Sequence, residues 1–231
     1  MIKLLGKRRR ELKKDKRRKR NDSEDEESES EIDVLDPLSD LFKKDTDVFK
    51  LGNHIYFNSD VSMKTVDKLN KLIFSINKEV ELLRTSPYIS EIVPAPIYLH
   101  FTSFGGDLFA GFKGIDIIQN SKIPVYTVVD GYAMSAAATM FLAGSKRFMA
   151  RNSYLLLHQL SANQPMASYE KLKDEHFNNT KLMDHLYKFY IKASNEVLTL
   201  KKIKELLKHD INWNYEICKR YGLVDDIYEN I

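Results

Sequence analysis

From His54 onward, short apolar runs of strand length alternate with longer segments whose apolar residues recur at helical spacing. That alternation constrains the fold more than any other feature. HIYF (54–57), PIYLHF (96–101), IPVYTVVDG (123–131), KRFMA (146–150) and SYLLLHQ (153–159) predict strands. Val66, Leu69, Ile73, Ile76, Val80 and Leu83 predict one amphipathic helix across 61–83. Further helices are expected over 108–120, 168–192, 200–209 and 214–222. The small-residue run AMSAAATMFLAG (133–144) predicts another, closed by Gly144. TSPYISEIVPAP (85–96), with three prolines, predicts a connector. Strands this uniformly apolar, separated by helices, imply an α/β fold with a mainly parallel sheet covered on both faces.

At 231 residues, one domain plus extensions is expected. The net charge of +3 conceals two opposed blocks. Residues 1–20 hold 12 Lys/Arg and two acids, residues 21–33 hold eight acids and no base, and the rest is nearly balanced. So little apolar surface among so much like charge does not offset ordering entropy, so 1–33 is expected to be a disordered tail. Residues 34–50 are expected to form a linker or axial-loop-like segment, and 51–231 the folded domain. The polybasic run at 7–20 permits contact with nucleic acid or an import receptor. It reads equally as a solvated tail neutralised by the acids behind it. No apolar run has the length of a membrane span, and no secretory leader is expected. The single cysteine, Cys218, excludes an internal disulfide framework and a Cys-based zinc cluster. A reducing compartment follows as the default; cytoplasmic placement is expected, with the basic tail also compatible with a nucleus or organelle.

Four segments carry candidate chemistry. In GYAMS (131–135), an apolar strand runs into a serine that opens a helix of small residues. Ser135 is then presented at a helix start, where free N–H groups point towards its oxygen. A plain N-cap serine satisfies the same pattern. Ser103-Phe104-Gly105-Gly106 ends another strand, and paired glycines there suit either an oxyanion-binding N–H or a tight turn. His158 follows an apolar strand, and Asp210 follows a predicted helix; each alone is equally compatible with a structural role. His176, His185 and the aromatics Tyr187, Phe189 and Tyr190 read as surface or packing residues of the 168–192 helix.

Together, GYAMS, NSYLLLHQ (152–159), SFGG and YGLVDDI (221–227) resemble, in order and spacing, the Clp protease proteolytic subunit family of serine peptidases. The resemblance covers roughly residues 50–228 and implies a Clp/crotonase-like ββα spiral. It implies Ser135 as nucleophile, His158 as general base and Asp210, fifteen residues before Asp225, as the third triad member. It also implies that the N–H groups of Gly106 and Ala136 form the oxyanion hole. No cofactor or metal is implied. The implied partners are further copies of the chain in a ring, an AAA+ unfoldase supplying ATP-driven work, and unfolded polypeptide substrates; no membrane is involved.

The chain departs from the family pattern in places. Phe104 stands where that pattern has proline, as does Leu160. Residues 160–170, LSANQPMASYE, contain Pro165 and no glycine where the family has a glycine-rich handle strand, and the loop between Gly144 and Arg147 is short. Competing readings are a non-catalytic structural subunit of such a complex, a crotonase-type acyl-CoA enzyme, and a serine–lysine dyad through Lys146.

Overall fold

The computed structural model describes residues 47–85, 93–161 and 167–229. The charged tail, most of the proposed linker, the greater part of the connector and Pro165 lie outside the described residues.

The described chain runs β1 (Val48–Leu51), β2 (His54–Phe57), α1 (Met63–Arg84), β3 (Ile97–Ser103), α2 (Leu108–Gln119), β4 (Val125–Met134), α3 (Ala136–Phe141), β5 (Lys146–Met149), β6 (Tyr154–Leu156), α4 (Tyr169–Ala193), α5 (Leu200–Leu206), α6 (Tyr215–Arg220) and β7 (Asp226–Ile227). Side-chain caps account for four of the six described helix starts. Ser62 and Thr65 form a reciprocal capping box at α1. The side chains of Asp107, Thr199 and Asn214 each accept a backbone N–H at the starts of α2, α5 and α6.

The strands form one sheet in the order β1-β2-β3-β4-β5-β7, with β6 paired to the far end of β4. Among the described strands the β1–β2 hairpin pairs antiparallel and the other strand pairs are parallel, as helical crossovers require. Ile55, Phe57, Ile97, Leu99 and Phe101 point to one face and meet Leu69, Met140 and Phe141 in the core. All six residues of α3 are buried. Its alanines let α2 approach closely: a Cβ on Gly111 would stand 3.2 Å from the Ala136 Cβ.

Three expectations need correction. β4 does not end at Gly131 but continues to Met134, because Ala133 pairs with both Ser103 and Leu155. The helix therefore opens after Ser135 and spans six residues rather than twelve. Among the described residues, helices also cover only one face of the sheet. His54, Tyr56, Tyr98, Tyr126, Phe148 and Tyr228 are half-buried on the second face, and His100 is buried among them. Ring stacking joins this layer: His54 on Tyr98 at 4.9 Å and Tyr56 on His100 at 4.6 Å. A groove of about 460 Å³ above it is lined by strand and C-terminal residues alone.

Candidate active site

The turn from β4 into α3 places Ser135 at φ 55° and ψ −124°, left-handed backbone that a serine adopts only under constraint. The constraint is visible on both sides. Ser135 N–H donates to Leu156 C=O at 2.9 Å, tying the turn to β6. Ser135 C=O accepts from Thr139 N–H and from the Thr139 hydroxyl, each at 3.1 Å. The geometry follows the logic of a nucleophile elbow, in which a sharp strand-to-helix turn pushes a hydroxyl out into a cleft.

Gly105 faces this turn. A Cβ there would lie 2.5 Å from Met134 O and 2.7 Å from Ser135 Cβ, so no other residue fits. Its neighbour Gly106 has φ 145°, and a Cβ would meet Val61 O at 2.3 Å. The buried Ser103 hydroxyl shapes the same turn, donating to Ser59 C=O at 2.6 Å and accepting Gly105 N–H at 3.2 Å. Val61 then holds the loop by two backbone bonds, Val61 N–H to Gly105 C=O and Asp107 N–H to Val61 C=O. Among the described residues, nothing accepts the N–H of Gly106 or of Ala136. Phe104, where a proline was the family expectation, is 63% exposed and packs on Tyr132 at 4.3 Å.

A cleft of about 300 Å³ brings these parts together, with Gly106, Ser135, Ala136 and His158 in its lining. Leu108, Leu160 and Leu186 give it an apolar side, and Thr139 and Tyr190 a polar one. Asp107 also lines it, but its carboxylate is engaged as the cap of α2, accepting Ala110 N–H at 2.6 Å.

His158 is half-buried, two residues beyond β6. Asp210 is exposed, in the segment after α5, and is not part of the cleft lining. Among the described residues, no hydrogen bond joins Ser135 Oγ to His158 or His158 to Asp210. The two segments are nevertheless tethered: Leu155 and Trp213 exchange backbone bonds at 2.9 and 2.8 Å. Leu155 lies three positions before His158, and Trp213 three positions after Asp210.

Other candidates fall elsewhere. Lys146 opens β5 with its ammonium 5.3 Å above the Tyr126 ring, away from the cleft lining. His176 and His185 are exposed on α4, as expected. Burial pushes the Cys218 thiol up to about 12, which removes it as a nucleophile at neutral pH. Among the described residues, no group of three His, Cys, Asp or Glu could hold a metal, and no helix is long and apolar enough to cross a membrane.

Sequence reading missed Thr139 and took Tyr190 for a packing residue. Their hydroxyls lie 3.0 Å apart in the buried floor of the cleft. The signal for Tyr190 was its place on the inward side of α4; nothing marked its hydroxyl. The Asp130–His100–His54 series on the open sheet face was missed too: His100 Nδ1 donates to Asp130 at 2.9 Å, and His54 Nδ1 lies 2.9 Å from His100 Nε2.

Comparison with known proteins supplies a frame for this geometry. The Clp protease family profile matches residues 86–231. The chain is 32% identical over 161 residues to the ATP-dependent Clp protease proteolytic subunit 2 of Treponema denticola, covering 67% of this chain and 78% of that one. Its likeness to the subunit of the same name from Treponema pallidum is 31% over 140 residues, covering 59% and 68% respectively. Among solved structures, a point mutant of ClpP1 from Listeria monocytogenes shares the fold, with a TM-score of 0.64 at 20% identity, over 78% of this chain and 92% of that chain.

Proposed function

Because the chain belongs to the Clp protease family, we propose that its cleft hydrolyses peptide bonds by serine catalysis. Ser135 Oγ attacks the scissile carbonyl as His158 takes its proton, and Asp210 holds the imidazole tautomer and stabilises the imidazolium. The tetrahedral oxyanion is received by the N–H groups of Gly106 and Ala136, each donor worth about 3–4 kcal/mol of barrier. His158 then returns the proton to the leaving amine, and water repeats the sequence to release the acyl group.

The observation that carries this reading is the strained backbone of Ser135, held at φ 55° beside two N–H groups that no described residue accepts. A serine that only capped a helix would sit in extended backbone, as Ser62 does at φ −142°. Catalytic hydrogen bonds often tighten only with substrate in place, which is compatible with the open Ser135–His158–Asp210 arrangement. The Leu155–Trp213 pairing ties the segment after Asp210 to β6, two residues short of His158.

The relatives' names give ATP dependence and a subunit role, and with family membership they support extending the proposal to a ring of identical chains that encloses the clefts and is fed unfolded polypeptide by an ATP-driven AAA+ partner. The same open arrangement favours a second reading, a structural subunit that has the fold but does not cleave. Ser135→Ala separates the two. On the proposal, hydrolysis of an unstructured peptide is abolished while the melting temperature is unchanged. Retained turnover in that variant rules out the serine, and a wild-type chain as inactive as the variant supports the structural subunit.

A further inference from the structure

Ser135 C=O accepts from the Thr139 hydroxyl at 3.1 Å, and a carbonyl cannot donate. The single hydroxyl proton of Thr139 is therefore committed. The Tyr190 hydroxyl, 3.0 Å from Thr139 Oγ1, is then the donor of that bond. Burial supports the assignment by raising the phenol to about 12, so it keeps its proton at any working pH. The result is a directed series from α4 to the nucleophile: Tyr190 O–H to Thr139 Oγ1, Thr139 O–H to Ser135 C=O.

Packing alone does not call for these hydroxyls. Thr139 is 2% exposed and Tyr190 3%, and valine with phenylalanine would fill the same volume without desolvating two polar groups. What the pair adds is direction. Ser135 is held in backbone that relaxes unless its surroundings fix it. Its N–H is fixed from β6 through Leu156, and its carbonyl from α3 and, through Thr139, from α4.

We propose that Tyr190 is a positioning residue for Ser135, acting through the Thr139 hydroxyl on the Ser135 carbonyl. The inference deepens the proposed peptidase function and rests on it. Its test pairs catalysis with a readout independent of catalysis, amide hydrogen exchange at Thr139, whose N–H shares the Ser135 carbonyl.

In Tyr190→Phe and in Thr139→Val, kcat is expected to fall about tenfold with KM unmoved, and Thr139 exchange to accelerate by a similar factor. The double variant should be little worse than either single one, because both remove the same series. Thr139→Ser, which keeps the hydroxyl, should recover most of the loss. Tyr190→Phe with wild-type kcat and wild-type exchange overturns the proposal. A kcat loss with unmoved exchange also overturns it, since the hydroxyl would then act on substrate directly. If the wild-type chain has no peptidase activity, the proposed function fails, and the exchange measurement still decides whether Tyr190 holds the turn.

Discussion

Gly105 leaves no room for a single added carbon. Its Cβ would overlap the carbonyl of Met134 and the Cβ of Ser135, and its own φ of 96° disfavours any side chain. Gly105→Ala therefore forces both backbone strain and a shift of the Ser135 turn, a cost of about 2–4 kcal/mol. Chemical denaturation should show that loss, and peptidase activity should fall further than stability does because the displaced turn carries Ser135. At this scale the sequence was informative about which residues cluster and silent about how. GYAMS and SFGG stood out because small residues at strand ends leave a recognisable pattern. The φ of Ser135 left none, since it arises from bonds to Leu156 and Thr139. Nor could spacing reveal that the Tyr190 hydroxyl reaches Thr139 across 51 positions of chain.

At the scale of elements, the long helices were legible to within a few residues because apolar periodicity is local, while the small-residue helix α3 is half its expected length. α1 and α4 both lie where the 3.6-residue pattern put them. Strand ends were less legible. β4 gains its last residues from pairing with β3 and β6, a tertiary effect, and the two-residue β7 exists through its pairing with β5. Asp225, read in sequence only as part of a family ending, accepts Arg147 N–H at 2.8 Å and pairs with its guanidinium at 2.9 Å, joining β5 to the approach to β7. The open sheet face gives an acid-sensitive contact. Burial first, and then the nearby His100, hold His54 below its ordinary range, while Asp130 pulls weakly the other way. The unfolded chain thus binds a proton at His54 more readily than the folded one does. Its contribution to stability is present above about pH 6.5 and is lost as pH falls through the lower folded value. Melting temperatures between pH 8 and 5 should fall more steeply for wild type than for His54→Asn. Parallel slopes in the two proteins would contradict this account of the face.

For the molecule as a whole, the exposed apolar side chains along α4 exceed what an isolated helix ordinarily shows to solvent. Tyr169, Leu172 and Phe177 are all exposed. In the proposed ring, burial of such surface would favour association and help bring the proposed Ser135, His158 and Asp210 together. Peptidase activity per chain should then drop on dilution, in step with dissociation seen by analytical ultracentrifugation. A monomer with full activity at every concentration would remove the enclosed-chamber part of the proposal. The family relation itself was readable from four short motifs, because their order and spacing are held by the sheet that presents them. The ring follows from that same resemblance, whereas sequence patterning shows the surfaces that would form it only as excess apolar residues.

The central claim is that Ser135 is an activated nucleophile, and covalent capture tests it most directly. Wild-type protein is treated with a fluorophosphonate probe and the adduct located by peptide mass spectrometry, beside Ser135→Ala and His158→Ala. The account predicts one adduct, on Ser135 of the wild type, absent in the first variant and formed far more slowly in the second. No adduct on the assembled wild-type protein, or labelling that survives Ser135→Ala, would contradict it.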